Sequence, residues 1–170
     1  MLAHYIDFAN RLADTAAEMV DAVASTALET SAKPDKTFVT ALDLDIEERL
    51  RARIAAAYPG HGIVGEEFDA EHADAEWVWT LDPIDGTMAL VAGIPVYSTL
   101  IALAHRGVPV IGVMHFPAIR TRWVGARGRP TLCNGELCQT RAGAGLHDAI
   151  QSASSRSEEH TSELQSPCNL

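Results

Sequence analysis

Cysteine is scarce in this chain of 170 residues: Cys133, Cys138 and Cys168 are too few and too unevenly spaced for a disulfide framework. No run of about 18 apolar residues occurs, so nothing reads as a membrane span. The segment Met1-Leu2-Ala3-His4-Tyr5-Ile6-Asp7 has neither a basic nor an apolar stretch of the kind that opens a secretory leader, and a cytoplasmic location is the default expectation. Basic residues are also in short supply. Thirteen Lys and Arg face 23 Asp and Glu, a net charge of −10, which argues against a nucleic-acid binder. Apolar residues make up 47% of the chain, enough for a packed core.

The acids are unevenly placed. Residues 1–85 carry 18 acids and 6 bases, whereas residues 86–155 carry 2 acids and 6 bases. Most acids in such a block belong to solvated helix faces, but some can converge on a cation.

Ile6, Ala9, Ala13, Ala16, Val20, Val23 and Ala27 recur at helical spacing and predict an amphipathic helix from about Ala3 to Leu28. Asp7, Asp14, Glu18 and Asp21 fall mostly off that stripe. The stretch Thr30 to Asp35 should break the helix. A second helix is predicted from Leu42 to Tyr58, with Ile46, Leu50, Ile54 and Ala57 inward and Thr40 to Asp43 as its capping box. Short buried strands are expected at Ile63-Val64 and Trp77 to Leu81, and β-structure at 98–104, 110–116 and 122–126. Two helices followed by hairpin-like strands describe an α+β layer.

Chemistry concentrates in Trp79-Thr80-Leu81-Asp82-Pro83-Ile84-Asp85-Gly86-Thr87. An apolar strand delivers two carboxylates, three positions apart, into a segment stiffened by Pro83 and freed by Gly86. Carboxylates so held bind a hard dication such as Mg2+ through oxygen, and the Ile84 carbonyl can add a further ligand. The competing reading is an Asp-Pro turn with Asp85 capping a short helix. Gly65-Glu66-Glu67 supplies two more acids at a second strand end, and Asp43 lies near the second helix start.

Taken in order, Lys33-x-Asp35, Val39-Thr40-x-x-Asp43, Gly65-Glu66-Glu67 and Asp82-Pro83-Ile84-Asp85-Gly86-Thr87 resemble the motifs of the inositol monophosphatase family. The likeness continues through Trp123 to Gly128 and Asn134-Gly135, to about Ser154. It implies a layered αβαβα sandwich, truncated after its first α+β half, and Mg2+-dependent phosphomonoester hydrolysis by metal-activated water. Glu66, Asp82, Asp85 and the Ile84 carbonyl match the metal ligands. Asp43 and Thr87 match the pair that orients and deprotonates the attacking water, and the amides of Gly86 and Thr87 match the phosphate cradle. The implied partner is a small phosphorylated substrate, and the implied full-length assembly is a homodimer.

Ala89, the Trp123 to Gly128 string and Ser98 to Leu103 resemble the histidinol-phosphatase branch, which acts in histidine biosynthesis; Met88 and Leu90 depart from it. The alternative substrate is inositol-1-phosphate or a related polyol phosphate. The family's Trp-Asp metal motif is missing, since Trp77, Trp79 and Trp123 have no Asp after them. A second expectation follows: a catalytically inactive fragment that binds Mg2+ weakly.

By this reading residues 1–145 are the metal-binding part, 146–155 begin the second half, and 156–170 are a disordered, non-native tail. The string Arg156 to Ser166 resembles the in-frame translation of a sequencing-library adapter. Outside the motifs, Cys133 and Cys138 are expected to be ordinary thiols, and His115 a hydrogen-bonded structural histidine. Arg120, Arg122, Arg127 and Arg129 are expected in a solvated loop.

Overall fold

The computed structural model describes residues 2–30 and 36–140, with side chains at 24–30 and 36–40 left aside. The expectations placed on Lys33, Asp35, Cys168, the 146–155 segment and the 156–170 tail lie outside those residues. The compact unit runs from Met1 to Cys138, and the second unit, Gln139–Leu170, falls almost wholly outside the description.

Helix α1 spans Ala3–Thr30 and α2 spans Lys36–Ala57. Strands β1 (Gly62–Gly65) and β2 (Trp77–Asp85) are followed by the short helix α3 (Thr87–Ala92). Then come β3 (Ser98–His105), β4 (Val108–Phe116), β5 (Thr121–Ala126), β6 (Leu132–Cys133) and β7 (Glu136–Leu137). All seven strands form one sheet in chain order, β1 parallel to β2 and every later pair antiparallel. The hairpins turn where positive φ is tolerated, at Arg106-Gly107 and Asn134-Gly135. The last hairpin, β6 to β7, goes unpredicted because two-residue strands carry no alternation to read.

The helices cover one face of the sheet. Phe8, Ala9, Leu12, Ala13, Ala16 and Val20 of α1 are buried, and Phe8 stands edge-on to Trp79 at 5.5 Å between ring centres. Small alanines let α1 lie close while Phe8 and Leu12 fill the gaps. Period-two alternation supplies the other side: Trp79 and Leu81, Ile101 and Leu103, and Ile111 and Val113 point into this core. The residues between them, Thr80, Leu100, Ala102, Gly112 and Met114, line the opposite face and are exposed or half-buried.

Three expectations are corrected. First, α2 begins six residues before Leu42, so Thr40 and Asp43 lie inside the helix and no capping box opens it there. Second, Ala57 is exposed, because the apolar stripe has rotated out of the core after Ile54. Third, Arg122 lies in β5 rather than a solvated loop. Its Nη2 meets Asp14 Oδ1 at 2.7 Å and its Nη1 meets Asn10 Oδ1 at 3.2 Å, tying the sheet to α1. His115 Nδ1 is buried without a hydrogen-bond partner, while the ring keeps a backbone hydrogen bond with Thr121; burial followed by the Arg122 charge pushes its pKa down.

The two ends of the burial scale make a test. Leu103 is 0% exposed and Leu137 is 72% exposed. Chemical denaturation should show Leu103→Ala losing about 2–5 kcal/mol, and Leu137→Ala changing stability by less than about 0.5 kcal/mol.

Candidate active site

Strand β2 carries the central motif further than a turn would. It stays extended through Asp82-Pro83-Ile84-Asp85, with its register to β3 slipping between Asp82 and Asp85. Pro83 has no N–H to offer the ladder, so a slip at this point sacrifices no donor. Thr99 Oγ1 donates to the Pro83 carbonyl at 2.8 Å, and Ser98 Oγ donates to Asp85 Oδ2 at 3.3 Å. Two β3 hydroxyls thus hold the bulge that sets the carboxylates apart.

Gly86 then takes φ of 85°, a left-handed conformation that starts α3. No side chain caps this helix, so the reading of Asp85 as its cap is overturned; the left-handed Gly86 makes the turn instead. Thr87 Oγ1 donates to the Ile84 carbonyl at 3.1 Å. That carbonyl keeps a second lone pair free for another partner.

Three elements bring the acids together. Helix α2 contributes Asp43 and Glu47, which share the inward face with Ile46, Leu50 and Ile54 and are 4% and 0% exposed. The residues after β1 contribute Glu66 and Glu67, and β2 contributes Asp82 and Asp85. Burial pushes the Asp43 pKa up to about 7, helped by Glu67, Asp82, Glu66 and Glu47 in that order. Burial also pushes Asp82 up to about 7. Glu66 is its next largest influence, by charge and by a hydrogen bond between the two carboxyls, followed by Asp85 and Glu67. Glu67 is raised as well, by burial and then by Glu66 and Glu47. Each acid disfavours the charge on its neighbours.

Of the residues expected at the site, Asp43, Glu66 and Asp82 are thus within electrostatic reach of one another, Asp85 is within reach of Asp82, and Thr87 touches Ile84. Asp43 and Thr87 are not joined by a hydrogen bond among the described residues. Nor do three His, Cys, Asp or Glu side chains form a ready-made coordination cluster among them.

The donor set nonetheless fits a hard dication. All its atoms are oxygens, and Asp82 Oδ1 is buried with no hydrogen-bond partner, a cost that a cation would remove.

The sequence reading missed Glu47, Arg51, Ser98 and Thr99. Arg51 Nε donates to Glu47 Oε1 at 2.8 Å, and both side chains are buried. A signal was present: Glu47 and Arg51 follow Ile46 and Leu50 on the same arc as Asp43, four residues apart. That spacing usually marks a solvated surface pair. Cys133 and Cys138 are free thiols, as expected.

With this geometry in view, comparison with known proteins is informative. The inositol monophosphatase family matches residues 1–168. The chain is 38% identical over 135 residues to the chloroplastic bifunctional phosphatase IMPL2 of Arabidopsis thaliana, covering 78% of this chain and 39% of that protein. It is 44% identical over 102 residues to the histidinol-phosphatase of Mycobacterium tuberculosis, covering 60% and 39%. An inositol monophosphatase structure from Zymomonas mobilis superposes with a TM-score of 0.71 at 35% identity, covering 86% of this chain and 56% of that one. The architecture is the α/β layering of such phosphatases. The chain belongs to the inositol monophosphatase family, and it spans about two fifths of the length of these two curated relatives.

The raised carboxylates fix the sign of a pH effect. The folded pKa of Asp82 lies above its unfolded value of about 3.9, so its protonated form stabilises the fold at low pH. That contribution is lost as pH rises through about 7. In divalent-free buffer, the Tm of Asp82→Asn minus that of the wild type should therefore increase steadily from pH 5 to pH 7.5. The subtraction cancels the histidines His61 and His115, whose lowered pKa values act in the opposite sense. A difference independent of pH would contradict the assignment.

Proposed function

We propose that the protein of which this chain is part hydrolyses a phosphomonoester with Mg2+. The observation that carries this reading is the unpartnered, buried Asp82 Oδ1 among acids that raise one another's pKa, in a chain that the inositol monophosphatase family matches over residues 1–168. Glu66, Asp82, Asp85 and the Ile84 carbonyl would hold the metal. A bound dication supplies positive charge that acidifies nearby water and offsets charge on the departing oxygen.

The chain's own residues do the rest. Asp43, with a pKa of about 7, is poised to take a proton from water near neutral pH. Thr87, anchored by its bond to the Ile84 carbonyl, presents its oxygen to the same water. The backbone N–H groups of Gly86 and Thr87, at the start of α3, would receive a phosphate oxygen. The Ser98 and Thr99 hydroxyls keep Asp85 and Pro83 from shifting as charge moves.

For substrate, the 44% identity to a histidinol-phosphatase favours histidinol phosphate. The 35% identity to an inositol monophosphatase structure keeps a polyol phosphate as the alternative. The full-length protein assayed with Mg2+ should show a higher kcat/KM for histidinol phosphate than for inositol-1-phosphate, and the reverse order overturns the substrate assignment. In that protein Asp82→Asn should lower kcat at least ~100-fold with the fold retained, a loss typical of removing charge stabilisation from a transition state.

A second reading concerns the 170-residue chain alone. It holds three side-chain ligands and no Trp-Asp motif, and it spans 39% of the two curated relatives. Purified by itself, it should bind Mg2+ weakly and give little or no turnover; turnover at the level of the full-length protein overturns this.

A further inference from the structure

The pair Glu47–Arg51 does more than fill space inside α2. Glu47 is fully buried, and both of its oxygens are committed: Oε1 to Arg51 Nε at 2.8 Å, Oε2 to the backbone N–H of Glu67 at 2.8 Å. Arg51 extends the same grip. Its Nη2 donates to the Phe68 carbonyl at 3.1 Å and its Nη1 to Glu71 Oε1 at 3.0 Å, while the guanidinium lies 5.7 Å from the Phe68 ring centre.

Gly65 completes the fit, since a Cβ there would run into the Glu47 carboxylate. Two residues one turn apart on α2 thus hold the backbone on the far side of Glu66: the N–H of Glu67 and the carbonyl of Phe68. Neither contact belongs to the helix ladder or to the sheet.

From this geometry we propose that Glu47 and Arg51 are positioning residues, acting through the Gly65–Phe68 backbone to fix the Glu66 and Glu67 carboxylates against Asp43 and Asp82. The proposal rests on the reading of Glu66 as a cation ligand. The choice of residue types follows. A buried carboxylate with a free face is needed to receive the Glu67 amide, and an unpaired one would be costly. Arginine satisfies it and still has donors left, in a rigid fork, for two further acceptors; lysine offers the charge without the fork. The arrangement is one in which the partners behind a ligand set where it can stand.

The test uses the 170-residue chain with Arg51→Met, Arg51→Lys and, as a control, Leu103→Ala, all checked for folding by circular dichroism. Two quantities are read: hydrogen exchange of the Glu67 amide in divalent-free buffer, and the Kd for Mn2+ by electron paramagnetic resonance. Arg51→Met should speed Glu67 exchange and raise the Mn2+ Kd by about ten-fold, the lower end of what disturbing a ligand's supporting contacts costs. Arg51→Lys, which keeps the charge beside Glu47 and folds more readily, should fall between Arg51→Met and the wild type. Leu103→Ala lowers overall stability and should leave the Mn2+ Kd unchanged.

Unchanged Glu67 exchange, or an unchanged Kd in both Arg51 variants, overturns the positioning role while leaving the metal reading intact. A Kd raised equally by Leu103→Ala also overturns it, because the effect would then follow global stability. Failure of the wild-type chain to bind Mn2+ at millimolar concentration overturns the metal reading and this inference with it.

Discussion

Carboxylates forced into one another's company are the constraint around which this structure is arranged. Asp43 and Asp82 are both raised to about 7, and in each case burial is the first cause and neighbouring acids the second. Such a cluster opposes folding unless its charge is neutralised by protons or by a cation. The surrounding chain is arranged to hold the acids despite this: two hydroxyls of β3 pin the β2 bulge, and a buried Glu–Arg pair grips the backbone after Glu66. The packing buries Asp43 and Glu47, while Glu66 and Asp85 stay open to solvent at the edge of the cluster.

That arrangement also explains which parts of the fold could be read in advance. Helix α1 was legible because its stripe, from Ile6 to Val20, is unbroken and its acids lie on the outer face, where Asp7 and Glu18 are indeed exposed. The strands from Ser98 onward were legible through alternation and through the turn at Arg106-Gly107. Helix α2 was harder. Its inner face mixes Ile46, Leu50 and Ile54 with Asp43, Glu47 and Arg51, so the apolar period is interrupted by charges that belong to the site. A capping box drawn around Thr40 and Asp43 was the local explanation for an acid whose true cause is tertiary.

The site residues were legible for a different reason. Asp82-Pro83-Ile84-Asp85-Gly86-Thr87 is a dense string of constrained and polar positions after an apolar strand, and the structure places it at the end of β2, where the ladder fails. The contacts that hold it were invisible beforehand. Ser98 and Thr99 look like ordinary strand residues, and nothing local links them to positions 83 and 85; antiparallel pairing creates that link. Glu47 and Arg51 were hidden by resembling a solvated helix pair, although burial makes their contribution to the structure quite different from a surface pair's.

Membership in the inositol monophosphatase family gives these features a common purpose, and the account's central claim is that the acid cluster is a dication site centred on Asp82. Its most direct measurement is a titration of the isotopically labelled 170-residue chain with Mn2+, followed by paramagnetic broadening of backbone amide signals. The account predicts broadening that appears first at Glu66, Glu67 and Asp82 to Thr87, with Asp43 close behind, and that Mg2+ reverses by competition. Broadening first at the exposed acids of α1 or of residues 69–76, with the Asp82 to Thr87 signals unaffected, would contradict it.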